Sequence, residues 1–109
     1  MVNVNNKALS MLSIAAKAGK VVSGGFMTEK AIQEGSACLV IIAGNASANT
    51  QKKFTDKCKY YRVPYVILGD STLLGNQIGK QERTTVTITD AGLAKQILNK
   101  LDGSIDMEV

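Results

Sequence analysis

The sequence contains no histidine. This removes the commonest general base and the usual nucleophile–base triads, so a catalytic site is not expected. Cysteine is scarce: Cys38 and Cys58 are the only two, and no CxxC spacing occurs. Without histidine or paired thiols, no zinc or other metal site is expected. The two cysteines read as reduced, buried thiols, one opening a strand and one within a helix. No apolar run approaches the roughly 20 residues that a membrane helix needs. The opening residues MVNVNNKALS lack a basic segment followed by an apolar one, so no secretion signal is expected and the cytoplasm is the expected compartment. Neither GxGxxG nor GxxxxGK[ST] occurs, which leaves a nucleotide-using enzyme supported only by a glycine turn. No cofactor is implied, and there is no repeat, linker or low-complexity segment.

What is present fits one folded domain. A chain of 109 residues, 45% hydrophobic and 20% charged, can bury its own core. Thirteen Lys and Arg face nine Asp and Glu, but three of those acids, Asp102, Asp106 and Glu108, lie in the last eight residues. Residues 1–101 therefore carry a net charge of +7 and read as the domain, with 102–109 as an acidic, flexible tail. A basic body suggests a polyanionic partner; a lysine-rich surface kept for solubility is the alternative. A monomer is the default expectation.

Hydrophobic spacing and turn residues predict nine alternating elements. A first helix spans Lys7 to Ala18, with Leu9, Leu12, Ala15 and Ala16 near one face, capped by Asn5 or Asn6 and ended by Gly19. Val21-Val22 is a short strand that stops at Ser23-Gly24-Gly25. A helix follows from about Phe26 to Glu34, with Thr28, Ala31 and Ile32 as its buried stripe and Gly35 as its terminator. Leu39 to Ala43 is continuously apolar, as a strand buried on both faces should be. The third helix runs from about Thr50 to Arg62 after a cap at Ser47 or Asn49. Phe54, Cys58 and Tyr61 should face the core, and Lys52, Lys53, Lys57, Lys59 and Arg62 mostly point elsewhere. That outer face is either solvated or a secondary nucleic-acid contact. Val63-Pro64 ends the helix, and Tyr65 to Leu68 is another buried strand. Ser71 caps a short helix through about Ile78. Gly79 to Arg83 is a polar loop. Thr84 to Thr89 alternates, with Val86 and Ile88 on one face and the other face less buried. Asp90 caps a last helix through about Leu101, with Leu93, Ile97 and Leu101 in register. Regular alternation of this kind predicts a three-layer α/β/α sandwich with helices on both faces of a four-stranded sheet.

Two places can carry function. Ser23, Gly24 and Gly25 lead into a helix whose first N–H groups are unpaired. Such an end attracts phosphate through direct hydrogen bonds and the helix dipole. Lys30, one turn in, can add a charge-assisted contact. Phe26 and Met27 stand at the mouth of this helix. Phe26 either stacks on an unpaired base or packs inward, and Met27 has the same inward alternative. The second place is the loop from Ile78 through Gly79 and Lys80 to Arg83. Loops at one end of a sheet form its binding edge, and Lys80 and Arg83 bring charge there. Ile78 serves either as an apolar contact or as core.

The stretches SGGFMTEKAIQEGSACLVIIAGNAS and YYRVPYVILGDSTLLGNQIGK carry a likeness. They resemble the family of RNA-binding ribosomal proteins typified by the archaeal large-subunit protein seven-Ae and the eukaryotic thirty-e protein, and especially its bacterial YlxQ-type branch. The likeness covers about Ala8 to Leu98. LVIIA and VPY are common alone; the glycine turn before a KAI helix and the late LG-x-x-IGK, in this order, make the set specific. The resemblance implies a mixed four-stranded sheet within the sandwich, and a non-enzymatic role on structured RNA, kink-turn-like or ribosomal, with the ribosome as a possible setting. It implies RNA contacts at Ser23 to Met27, at Lys30 and at Ile78 to Arg83. One departure stands out. Kink-turn readers carry Gly-x-Asn-Glu at the first place, where this chain has Phe26 and Met27, neither able to hydrogen-bond a base edge. In the late loop, apolar family positions hold Lys80 and Glu82. The competing expectation is a protein-interaction module of the translation apparatus that keeps the fold and has lost guanine reading.

Overall fold

A computed structural model describes residues 6–101. Nine elements follow in order: α1 (Asn6–Lys17), β1 (Val21–Ser23), α2 (Gly25–Glu34), β2 (Leu39–Ile42), α3 (Ala48–Tyr61), β3 (Tyr65–Ile67), α4 (Ser71–Gln77), β4 (Thr85–Ile88) and α5 (Ala91–Lys100). The strands form one sheet in the order β1-β4-β2-β3. Only β2 and β3 are parallel; β4 runs antiparallel to both its neighbours. The sheet is therefore mixed, as expected. The proposed cap Asn5 and the acidic tail 102–109 lie outside the described residues.

Strand periodicity sorts the core into two layers. Along β2 and the residue after it, Leu39, Ile41 and Ala43 join Leu9, Leu12 and Ala15 of α1, Leu74 of α4 and Ile97 of α5. Val40 and Ile42 point the other way, onto Ile32 of α2 and Phe54 and Cys58 of α3. Helices α1, α4 and α5 thus cover one face, and α2 and α3 the other. Burial on both sides is what allowed the unbroken LVII run.

Four expectations need correction. The face of β4 that carries Thr85 and Thr87 is fully buried, because α2 lies on it. It tolerates hydroxyls there because they bond one another: Thr87 Oγ1 donates to Thr28 Oγ1 at 3.0 Å, and Thr28 Oγ1 to Thr85 Oγ1 at 3.1 Å. An unpartnered buried hydroxyl would cost about 1–3 kcal/mol. Tyr61 is 42% exposed rather than core, since it lies in the last residue of α3 beyond the sheet's cover. The cap of α4 is Asp70, whose carboxylate accepts from Leu73 N at 2.8 Å; Ser71 is the first helical residue. Finally, only Cys58 is fully buried, and burial pushes its thiol up to about 12, which keeps it protonated and inert. Cys38 is half-buried, with its sulfur directed at Ser36 O.

Other signals acted as read. Ser47 caps α3 by accepting from Thr50 N, and Asp90 caps α5 by accepting from Leu93 N. Gly35 ends α2 in the left-handed region at φ 83°.

Candidate nucleic-acid interface

β1, β2 and β3 all finish at one end of the sheet, where β4 begins. Four connections meet at that edge: 23–25, 43–47, 68–70 and 78–84. The first carries the glycine turn. Gly24 has φ 90° and ψ 159°, which places α2 directly after β1. That region is essentially closed to residues with a Cβ. Gly25 does not use positive φ. Gly24 N donates to Thr85 O, and Gly24 O accepts from Thr28 N, the first bond of the helix. No side chain caps this end. The N–H groups of Gly25, Phe26 and Met27 precede that first bond and lie outside the helical ladder. Phe26 is 78% exposed and Met27 38% exposed, so the outward alternative holds for both. Lys30 is exposed one turn further along.

The late loop is fastened beside this turn. Lys80 N donates to Gly75 O at 2.8 Å, and Arg83 N to Ser71 O at 3.0 Å. Thr72 Oγ1 donates to Glu82 Oε2. Arg83 Nε donates to Ser23 Oγ at 3.0 Å, while Nη1 donates to the carbonyls of Gln81 and Glu82. The Arg83 guanidinium therefore ties the loop to β1 as well as carrying charge. Ser23, Ile78 and Lys80 share the wall of a hollow of about 200 Å³ with Ala16 and Val21. The two predicted places thus adjoin on one edge. Ile78 packs partly against the core and lines the hollow, so both of its readings apply. Gly79 turns the loop at φ 73°, and Lys80 is exposed.

Two contributors escaped the sequence reading. Gly75, within α4, lets the loop lie against the helix: a Cβ there would sit 2.0 Å from Gln81 O. A glycine inside a helical pattern was the available signal. The other is Glu29, in the first turns of α2, which meets Lys53 Nζ at 3.3 Å and Lys57 Nζ at 3.1 Å on α3. These hydrogen bonds, Lys57 first, hold its carboxyl below the usual range. A depressed folded pKa means the contact favours folding above the ordinary carboxylate range and is lost as pH falls through the folded value. It also offsets two of the lysines of α3.

An α/β/α sandwich with a bare helix N-terminus and a cationic loop on one edge defines a class, and similarity to known proteins identifies the family. Residues 6–98 match the ribosomal protein L7Ae/L30e/S12e/Gadd45 family, and the chain belongs to it. Within it, the chain is 45% identical over 92 residues to the RNA-binding protein YlxQ of Bacillus subtilis, covering 84% of this chain and 92% of that one. A solved Bacillus halodurans protein, titled as of unknown function, superposes with a TM-score of 0.82 at 38% identity, covering 85% of this chain and 94% of that one. The Giardia lamblia 15.5kD RNA binding protein has the same fold, with a TM-score of 0.75 at 23% identity, over 88% of this chain and 85% of that one.

Proposed function

We propose that this chain is a non-enzymatic RNA-binding protein that grips structured RNA at a bulge or kink-turn, in ribosomal RNA or another ribosome-associated RNA, as a cytoplasmic monomer. The observation that carries the reading is the bare α2 N-terminus, with Phe26 in solvent, hydrogen-bonded through Ser23 and Arg83 to the loop that holds Lys80. The N–H groups of Gly25 to Met27 meet a backbone phosphate, assisted by the positive helix end. Phe26 stacks on an unpaired base. Lys30 and Lys80 neutralise flanking phosphates, and Arg83 holds the loop in place while adding to the field. The side chains of Phe26 and Met27 offer a guanine edge no donor and nothing stronger than a thioether acceptor, so recognition is of shape and backbone. The YlxQ relative, named as RNA-binding, supports this.

The test is a titration against a kink-turn RNA and a fully paired duplex of equal length at several salt concentrations. The kink-turn should bind at least tenfold tighter, with affinity falling steeply as salt rises. Equal affinity for both RNAs, or none for either, would sink the reading.

The exposed Phe26–Met27 pair also favours a second reading, in which this edge docks a protein of the translation apparatus. That reading expects a salt-insensitive protein complex that Phe26→Ser breaks without loss of folding.

A further inference from the structure

The outer face of α3 reads as basic in sequence, yet three of its lysines are tied to carboxylates. Lys52 meets Asp56 at 2.8 Å, and Lys53 and Lys57 both meet Glu29. The middle of the helix is close to charge balance. Its C-terminal end carries two exposed rings. Tyr60 is 80% exposed and Tyr61 42% exposed. Their rings meet edge to face, with centroids 4.9 Å apart at 77°. Lys59 and Arg62, both exposed, flank them. Arg62 caps the helix at φ 60° and is the one non-glycine residue with positive φ among the described residues. The sequence has three tyrosines, two phenylalanines and no tryptophan. Phe54 and Tyr65 are buried, and the other three aromatic rings, including Phe26, stand in water. Rings left in solvent forgo the burial they would gain in a core.

We propose that Tyr60 and Tyr61, with Lys59 and Arg62, form a stacking platform for unpaired nucleotides of RNA. The inference rests on reading the chain as an RNA-binding protein. The open ring faces take bases and the cations take the adjoining phosphates. A helix C-terminus disfavours phosphate by about half a charge, which the full charge of the Arg62 guanidinium outweighs. The platform is separate from the first edge. Helix α3 starts at that edge and runs back to the start of β3, and its 14 residues place the tyrosines about 20 Å away. A single-stranded arm of the same RNA, or a second RNA, would lie there.

The absence of tryptophan makes the test direct, because tyrosine emission is then dominated by residues of which two of three lie on the platform. An oligouridylate of about ten nucleotides is titrated while that emission is followed. Affinity is compared for wild type, Tyr60→Ser/Tyr61→Ser and Tyr60→Phe/Tyr61→Phe, and for a kink-turn RNA without single-stranded ends. The expected result is quenching on binding, at least a tenfold loss of oligouridylate affinity in the serine variant, and near-wild-type affinity in the phenylalanine variant. The kink-turn RNA should bind all three proteins equally. No quenching together with an unaltered serine variant overturns the platform and leaves the pair as a protein-facing surface. Equal losses on both RNAs overturn a separate platform. Wild type that ignores the kink-turn RNA but is quenched by oligouridylate contradicts the first edge and supports this one.

Discussion

Replacing Gly75 with alanine is expected to destabilise the protein by about 3 kcal/mol and to weaken binding of structured RNA at least tenfold. The methyl group would lie 2.0 Å from Gln81 O, 2.6 Å from Gln81 C and 3.1 Å from Glu82 Cα. These are backbone atoms, so no rotamer change relieves the clash. Either α4 or the loop must shift. The loop is held by Lys80 N on Gly75 O, Arg83 N on Ser71 O and Arg83 Nε on Ser23 Oγ, and a displacement disturbs all three. In a solvent-exposed helix interior the same change would be favourable by about 1 kcal/mol, because alanine is the better helix former. The sign of the effect therefore decides whether loop contact or propensity governs this position. Urea unfolding and RNA titration measure the two parts. A variant as stable as wild type would mean that the loop does not rest on α4.

Gly24→Ala tests the other half of the site by a different mechanism. Nothing lies within 4 Å of a Cβ at Gly24, so there is no clash. The cost is conformational: φ 90° with ψ 159° is strained for alanine by about 1–3 kcal/mol. Relief requires rotating the peptide that joins β1 to α2, which breaks Gly24 N from Thr85 O and re-aims the N–H groups of Gly25 to Met27. RNA affinity should fall at least tenfold, beyond what instability explains at a temperature where the variant is folded. Gly25→Ala is the control. Its Cβ would make ordinary contact with Phe54 Cζ at 3.7 Å, and its φ is not positive, so fold and affinity should hold. Equal behaviour of the two variants would show that the turn's conformation is not what the edge depends on.

The contrast between these glycines marks where the sequence was legible. Periodicity and caps located every element to within about two residues. The two-sided burial of Leu39–Ile42 was plain from an unbroken apolar run. The paired glycines marked the turn, but which one needed positive φ depended on how β1 meets α2. Thr85 and Thr87 looked half-exposed because hydroxyls are usually outside. Their burial depends on a third hydroxyl, Thr28, supplied from another element. Tyr61 was misread because helical spacing says which way a residue points, not whether the core extends that far. The lysines of α3 looked free because Glu29, which offsets two of them, comes from a different helix. The threonine and lysine misses lie in contacts between elements distant in sequence, whereas the cap of α4 at Asp70 was a local choice between neighbouring residues. The Ser23 to Met27 turn and the Ile78 to Arg83 loop were both visible as candidates, and their adjacency through Arg83 and Ser23 needed the fold.

The most direct test of the central claim, that this edge holds RNA by its phosphates, is the salt dependence of kink-turn RNA affinity in wild type, Lys30→Ala, Lys80→Ala and the double variant. Each lysine should remove about one unit from the slope of log K against log salt, and the double variant about two, with folding unaffected because both side chains are exposed. A double variant with wild-type affinity and slope would contradict the account and move the RNA to another face.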